Sequence, residues 1–370
     1  MKERWFVIAD DLSGAAEMAG IARQFGLSVK IISTSVHPGI GEEDVLVVNT
    51  ETRNLPGSEA ARTIRDVLKS FGKAGGVKLF KKTDSLLRGP VEAEILAILG
   101  STSFTSALLV PANPSKGRRI RDEKYFIGAK PLDETEYRHD PEYPRTSSDI
   151  RTLMNIGSDR LETQQIDWGH IEGKILVPDL NSLEDISTLI EKKISPGMLL
   201  AGGADFFREL LSSTHKPRIH DKGEPFVYPG NRCFIIGSYA ETNRKALEFL
   251  KHKGYEINTI VGKSLPGIKA GRVVLKLQDQ VVEEPNRRDF LLEELSRIAS
   301  ALADAQEEPV HFLVTGGRTA SLFCRKMGWD QLLVKGMHED GVVTLIPSGS
   351  EHLITVKPGS YNWPEELLNK

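Results

Sequence analysis

The sequence predicts an α/β protein of two domains, each with a mainly parallel sheet flanked by helices. Three observations carry that prediction. Short apolar runs alternate with amphipathic segments along the whole chain, the rhythm of parallel strands joined by helical crossovers. Many of the runs end in small or charged residues, as strands of open α/β sheets do where they meet ligands. The chain has 370 residues, more than one hydrophobic core usually organises.

The first strand is expected over 5–9, ending in Asp10 and Asp11, with a helix opening at Ser13 or Gly14 and stopping at Gly26. Strands over 29–33 and 45–49 and a helix over 58–71 follow. A strand over 77–80 then enters the loop Lys81, Lys82, Asp84, Ser85, Arg88, Gly89, and Pro90 is suited to the first position of a helix over 91–99. After a strand over 106–110, prolines and glycines exclude a regular element from 111–128, where Lys116, Arg118, Arg119, Arg121 and Lys124 form a basic run. The Pro-rich text over 130–145 reads as a functional excursion or lid, and Ser147 or Ser148 can cap a helix after it. Strands over 174–177 and 198–201 and helices over 182–192 and 204–211 complete the first half. The segment 215–231, with three prolines and two glycines, reads as a linker, so the domains are expected at 1–222 and 223–370. In the second half, strands over 233–236, 272–277 and 310–314 alternate with helices over 241–251 and 288–303.

Composition narrows the function. A net charge of −3 gives no general attraction to nucleic acid or to an anionic membrane. No apolar stretch approaches the roughly 18 residues of a membrane span, and the first apolar run is too short for a signal peptide. Cys233 and Cys324 lie in apolar segments, where buried reduced thiols fit a cytoplasmic protein.

Two places carry chemistry. The 81–89 loop offers two ammonium groups, a guanidinium, a carboxylate and a hydroxyl, a set suited to an anionic, hydroxylated small molecule. Arg88 can grip a carboxylate bidentately and Asp84 can accept from hydroxyls. Its bland alternative is a solvated turn. Asp10 and Asp11 stand where a general base or hydroxyl-binding group is often found, although Asp11 also suits a helix N-cap. In the second half, Gly237-Ser238, the run Gly316, Gly317, Arg318, Thr319 and the turn Lys357, Pro358, Gly359, Ser360, Tyr361 each free backbone amides near a strand end, as an anion cradle does. No His or Cys cluster has metal-ligand spacing.

The blocks ADDLSGAAEMAG (9–20), KKTDSLLRGPVEAEI (81–95), VPANPSKGRRIRD (110–122), PLDETEYRHDPEYPRTSSDI (131–150), GSYAETNRKAL (237–247), TGGRTASLF (315–323) and KPGSYN (357–362) together resemble the four-carbon acid sugar kinase family. The resemblance implies ATP-dependent phosphorylation of a hydroxyl of a threonate- or erythronate-like acid, with Mg²⁺ arriving with the nucleotide. It assigns Asp10, Asp11, Lys82, Asp84, Ser85 and Arg88 to the acid, and Ser238, Gly316, Gly317, Arg318, Thr319 and 357–361 to ATP. From the residues alone, Lys116 and Arg118 read as a basic rim over the acid or as part of a solvated charged loop. The family usually has an acidic residue where this chain has Arg318, whose guanidinium would pair with phosphate oxygens. In-line transfer in a cleft between the domains is the expected mechanism, with Asp84, Asp10 or Asp11 orienting and deprotonating the hydroxyl. A non-catalytic sugar-acid or nucleotide sensor is the rival reading. The oligomeric state stays open, a homodimer among the candidates.

Overall fold

The structure is a computed structural model that describes residues 3–34, 41–71, 76–140, 143–155, 160–163, 166–217, 228–237, 241–262, 271–278, 287–339, 341–359 and 361–369. Most of the expected linker, with Ser238 and Ser360, lies outside the described residues. The chain forms two compact units, one of Met1–Asp10 with His37–Pro217 and the other of Asp11–Val36 with Arg218–Lys370. A single boundary at 222/223 therefore misses 11–36. The helix Leu12–Gln24 buries mainly small and apolar residues, with Glu17 as its buried charge, and this small-residue surface lets it pack closely with carboxy-terminal strands. At Gly20 an added Cβ would sit 2.8 Å from Met337 Sδ and from Val343 Cγ2.

In the first unit the sheet order is Val45–Asn49, Arg4–Ala9, Val77–Lys82, Met198–Gly202, Ser106–Val110, Ile175–Leu176, Leu161–Glu162, all parallel. Helices cover such a sheet on both faces, so its strands are buried on both sides, as Val45–Asn49 and Ser106–Val110 are throughout. In this core Trp5 packs edge-on against Phe207, and Phe80 lies tilted against Phe206 and Phe207. The register matters most. Ala9 is level with Asn49 and with Lys82, and Gly202 is level with Lys82 and with Val110, so five strands end at one height.

The stretch 111–128 is not irregular. Arg118–Arg121, Lys124–Ile127 and Lys130–Pro131 form a small antiparallel sheet. Its hairpin turns at Asp122 and Glu123, both in the left-handed region at φ 50° and 60°, and the Asp179 carboxylate accepts from both their amides. That fixation compensates for the lack of the glycine such a turn favours. Alternation then sends Arg118 and Ile120 inward and Arg119, Arg121 and Lys124 outward.

In the second unit the order is Glu256–Ile260, Arg272–Leu277, Asn231–Ile236, Val310–Thr315, Leu353–Lys357, Val342–Pro347, Gln331–Glu339, Val29–Ser33. The first five are parallel and the last three antiparallel to their neighbours. Ile236 is level with Thr315, and Thr315 with Lys357, so three adjacent strands again end together. Among the described residues no helix is long and apolar enough to cross a membrane, and both cysteines are buried and free.

Candidate functional site

At the level strand ends of the first unit the chain turns three times, and each turn delivers a charge. Asp10 directly follows Arg4–Ala9. The next turn is tied to it through Thr50 N–H donating to Ala9 O and Arg53 N–H donating to Asp10 O. Arg53 thereby grips the Asp10 carboxylate with two donors, Nε at 2.8 Å and Nη2 at 3.0 Å, and its Nη1 lies 3.6 Å from Asp84 Oδ1. Asp84 opens the third turn. Its Oδ2 accepts from Leu86 N, Arg88 N and Arg88 Nε, and its Oδ1 from Arg88 Nη2 at 2.8 Å. Leu87 at φ 59° and Gly89 at φ 87° let so short a loop fold back, and a Cβ on Gly89 would meet Arg53 O at 2.8 Å. Arg88 Nη1 also donates to Asp140 Oδ2 at 3.2 Å.

The result is a row of alternating charge: Asp10, Arg53, Asp84, Arg88, Asp140. Burial works to raise both Asp10 and Asp84, but Arg53 with Lys81 outweighs it at Asp10, and Arg88 with Arg53 at Asp84. Both carboxyls are held below their ordinary range, Asp84 well below. Beneath the row, Lys81 pairs with Glu94 at 3.1 Å with both side chains fully buried, and Thr52 donates to the same carboxyl. Burial dominates there and, helped by Asp10, raises the Glu94 carboxyl.

Residues 137–140 and 143–145 are stitched to the row. Arg118 donates to Ser85 Oγ and to the Tyr137 hydroxyl, and the Tyr143 hydroxyl donates to Arg53 O and Asn54 Oδ1. Arg145 is buried above the Tyr143 ring, its guanidinium carbon 5.8 Å from the ring centre.

In the second unit the three glycine turns converge because their strands end level. Gly316 N donates to Lys357 O, joining the second turn to the third. A Cβ on Gly237 would collide with Thr319 Oγ1, so the first turn lies directly on the second. A Cβ on Gly317 would fall 2.2 Å from Asp11 Oδ2. Asp11 is the N-cap of Leu12–Gln24, accepting from Gly14 N and from Ser13 Oγ. Backbone, the Thr319 and Ser13 hydroxyls and the Asp11 carboxylate line this place, at the start of the ten-residue helix Gly317–Lys326.

A family model described as a sugar-binding N-terminal domain matches residues 5–206, more than half of the chain. The chain belongs to the four-carbon acid sugar kinase family. Within this family it is 33% identical over 154 residues to a D-threonate kinase of Bordetella bronchiseptica, a match spanning 40% of this chain and 38% of that protein. A 3-oxo-tetronate kinase of Actinobacillus succinogenes is 27% identical over 154 residues, 40% and 37% of the two chains. The chain thus matches well under two thirds of the length of these relatives. In fold it resembles a Salmonella typhimurium protein described as a tRNA synthase, with a TM-score of 0.75 at 18% identity over 99% of this chain and 98% of that one. A Haemophilus influenzae protein gives a TM-score of 0.67 at 18% identity over 96% of each chain.

Against the family's site assignments, the structure brings Asp10, Asp84, Arg88, Ser85 and Arg118 together. Lys82 is buried beside them, with Nζ donating to Thr83 O. Asp11 falls instead with the glycine turns, because it caps a helix of the second unit. Arg88 is not open to grip a carboxylate, since Asp84 and Asp140 already occupy its fork. Lys116 stands exposed at the end of the short Pro114–Lys116 turn rather than with the buried charges. In the second unit Gly316, Gly317, Thr319, Pro358 and Gly359 lie at the convergence. Arg318 leans away to pair with Asp289 at 2.8 Å. Lys357 is buried and donates to the carbonyls of Pro358, Gly359 and Tyr361, so it clasps the last turn from within. Burial pushes its ammonium down to about 7.

Arg53, Glu94, Asp140 and Arg145 were not singled out from the sequence. Arg53 alone carried a usable signal, a charge just past the apolar run VLVVN.

Proposed function

We propose that the protein is a kinase that transfers the terminal phosphoryl group of ATP to a hydroxyl of a four-carbon sugar acid. The observation that carries this reading is the Asp10–Arg53–Asp84–Arg88–Asp140 row at the carboxyl ends of adjacent parallel strands, inside the stretch that matches a sugar-binding domain. Carboxylates held in fixed orientation by guanidinium forks accept hydrogen bonds from hydroxyls without rearranging. Relatives named as D-threonate and 3-oxo-tetronate kinases support the substrate class.

In this reading the amides of 317–319, the Thr319 hydroxyl and the turn held by Lys357 cradle the nucleotide phosphates. The positions where a Cβ would fill the space, Gly237 and Gly317, fit a backbone-lined cradle. Asp11 beside Gly317 would hold a Mg²⁺ that neutralises phosphate charge. Asp10 and Asp84 orient the acceptor hydroxyl more than they deprotonate it, because their lowered pKa values make them weak bases. A loose transition state asks little of a base, so positioning and charge supply most of the rate.

The same weak basicity favours a second reading, a sugar-acid sensor without turnover. Release of ADP, followed by a coupled assay over four-carbon hydroxy acids with Mg²⁺, separates the two. Turnover with one acid supports the kinase, and acid binding with no ADP above background supports the sensor.

A further inference from the structure

Arg88 was the natural candidate to anchor the substrate carboxylate, and its fork is taken by Asp84 and Asp140. Another guanidinium in the same cluster is not taken. Arg145 is 8% exposed, and its Nε and Nη2 are buried without a hydrogen-bond partner among the described residues. A buried cation that lacks partners costs several kcal/mol, and chains seldom retain one without compensation. Its charged neighbours are Asp84, Arg88 and Asp140, and burial lowers its pKa. Its placement is fixed: Arg145 N donates to Tyr137 O, Tyr143 N to Asp140 Oδ1, and the Tyr143 hydroxyl to Arg53 O. The described carboxylates around it, Asp84 and Asp140, are already committed to Arg88. What would complete its fork is a planar anion from outside the chain.

We propose that Arg145 is the specificity-determining residue that binds the substrate's carboxylate, its unpaired Nε and Nη2 forming a two-point contact beside the Asp84–Arg88–Asp140 network. The inference rests on the sugar-acid reading above. It assigns acid recognition to Arg145, leaving the carboxylate row to the hydroxyls.

The test compares D-threonate with threitol, which replaces the carboxylate by an uncharged CH₂OH. Calorimetric titration of both probes and of ATP is carried out on wild type, Arg145→Ala, Arg145→Gln and Arg145→Lys, with urea midpoints measured without ligand. D-threonate affinity is expected to fall about 10- to 100-fold in Arg145→Ala and Arg145→Gln, as for loss of a charge-assisted pair. Threitol and ATP affinities should not change, and Arg145→Lys should recover part of the loss. Without ligand, removing an unpaired buried charge should leave the urea midpoint unchanged or raise it. Should Arg145→Ala fail to fold, the glutamine and lysine variants carry the comparison. D-threonate binding within twofold of wild type in all variants overturns the inference and leaves the kinase reading standing. Equal loss of both probes with a lowered midpoint also overturns it, marking a structural role. If wild type binds D-threonate no better than threitol, the sugar-acid reading fails and the inference falls with it.

Discussion

The two convergence points of this molecule are built by one geometric device and finished with opposite materials. In each unit, parallel strands end level, Ala9 with Asn49 and Lys82 in one, Ile236 with Thr315 and Lys357 in the other. The first unit fills its end with charged side chains locked into forks. The second fills its end with backbone, two hydroxyls, a carboxylate and a lysine turned inward on neighbouring carbonyls. Side chains differ from protein to protein and can discriminate among small acids. Backbone amides are the same everywhere and suit a group as uniform as phosphate. The contrast teaches that a charged residue in a loop is not by itself a ligand contact, since Arg88, Arg318 and Lys357 are all engaged within the chain.

The sharpest way to break the comparison is to unpair the charge row. Asp84→Ala strips Arg88 of its main partner in a buried setting, and loss of about 3–5 kcal/mol is expected. Urea unfolding should show it, together with loss of sugar-acid binding. ATP affinity measured on protein that remains folded should be close to wild type. Asp84→Asn keeps an acceptor for the Leu86 and Arg88 amides and should cost less.

The matching change in the second unit is Gly317→Ala. Its Cβ would collide with Asp11 Oδ2, and relief of such overpacking costs about 1–3 kcal/mol. ATP affinity should fall by roughly tenfold or more, while sugar-acid affinity is unchanged. Equal losses of both ligands would erase the distinction between the regions.

Next in size is pH. Asp10 and Asp84 have folded pKa values below their ordinary 3.8, so the stability they contribute is complete above 3.8 and is lost as pH falls through the lower values. Lys357 lies at about 7 against an ordinary 10.5, so the unfolded chain binds more protons between those values. Stability from this group therefore rises with pH from about 7 towards 10.5 and is level below 7. Urea midpoints across pH 3 to 10 should fall at the acid end and climb at the alkaline end, and Lys357→Met should flatten the climb alone.

The smallest effect is expected at Arg318. Its pair with Asp289 joins side chains 38% and 48% exposed, and such pairs contribute about 0–1 kcal/mol. Arg318→Ala should alter ATP affinity less than about threefold, as a charge paired within the protein adds little to a ligand. A larger loss would restore Arg318 to the phosphate cradle.

What the sequence determined by itself is local. Apolar runs of four to six residues, flanked by glycine or charge, marked the parallel strands, and periodic leucines marked the helix Arg287–Asp304. The loop 81–89 and the three glycine turns were legible as places where chemistry gathers. The hairpin at 118–127 was not, because its turn depends on the distant Asp179 in place of a glycine. The membership of 11–36 in the second unit was not, because a helix face of small residues says that something packs closely without saying what. Tertiary structure alone decided which charges meet. Strand register set Asp10 beside Arg53 and Asp84, drew Asp140 onto Arg88, and left Arg145 buried with its fork open. Charge can be read one residue at a time, but pairing belongs to distance, and distance across a parallel sheet is fixed by residues far apart in the chain.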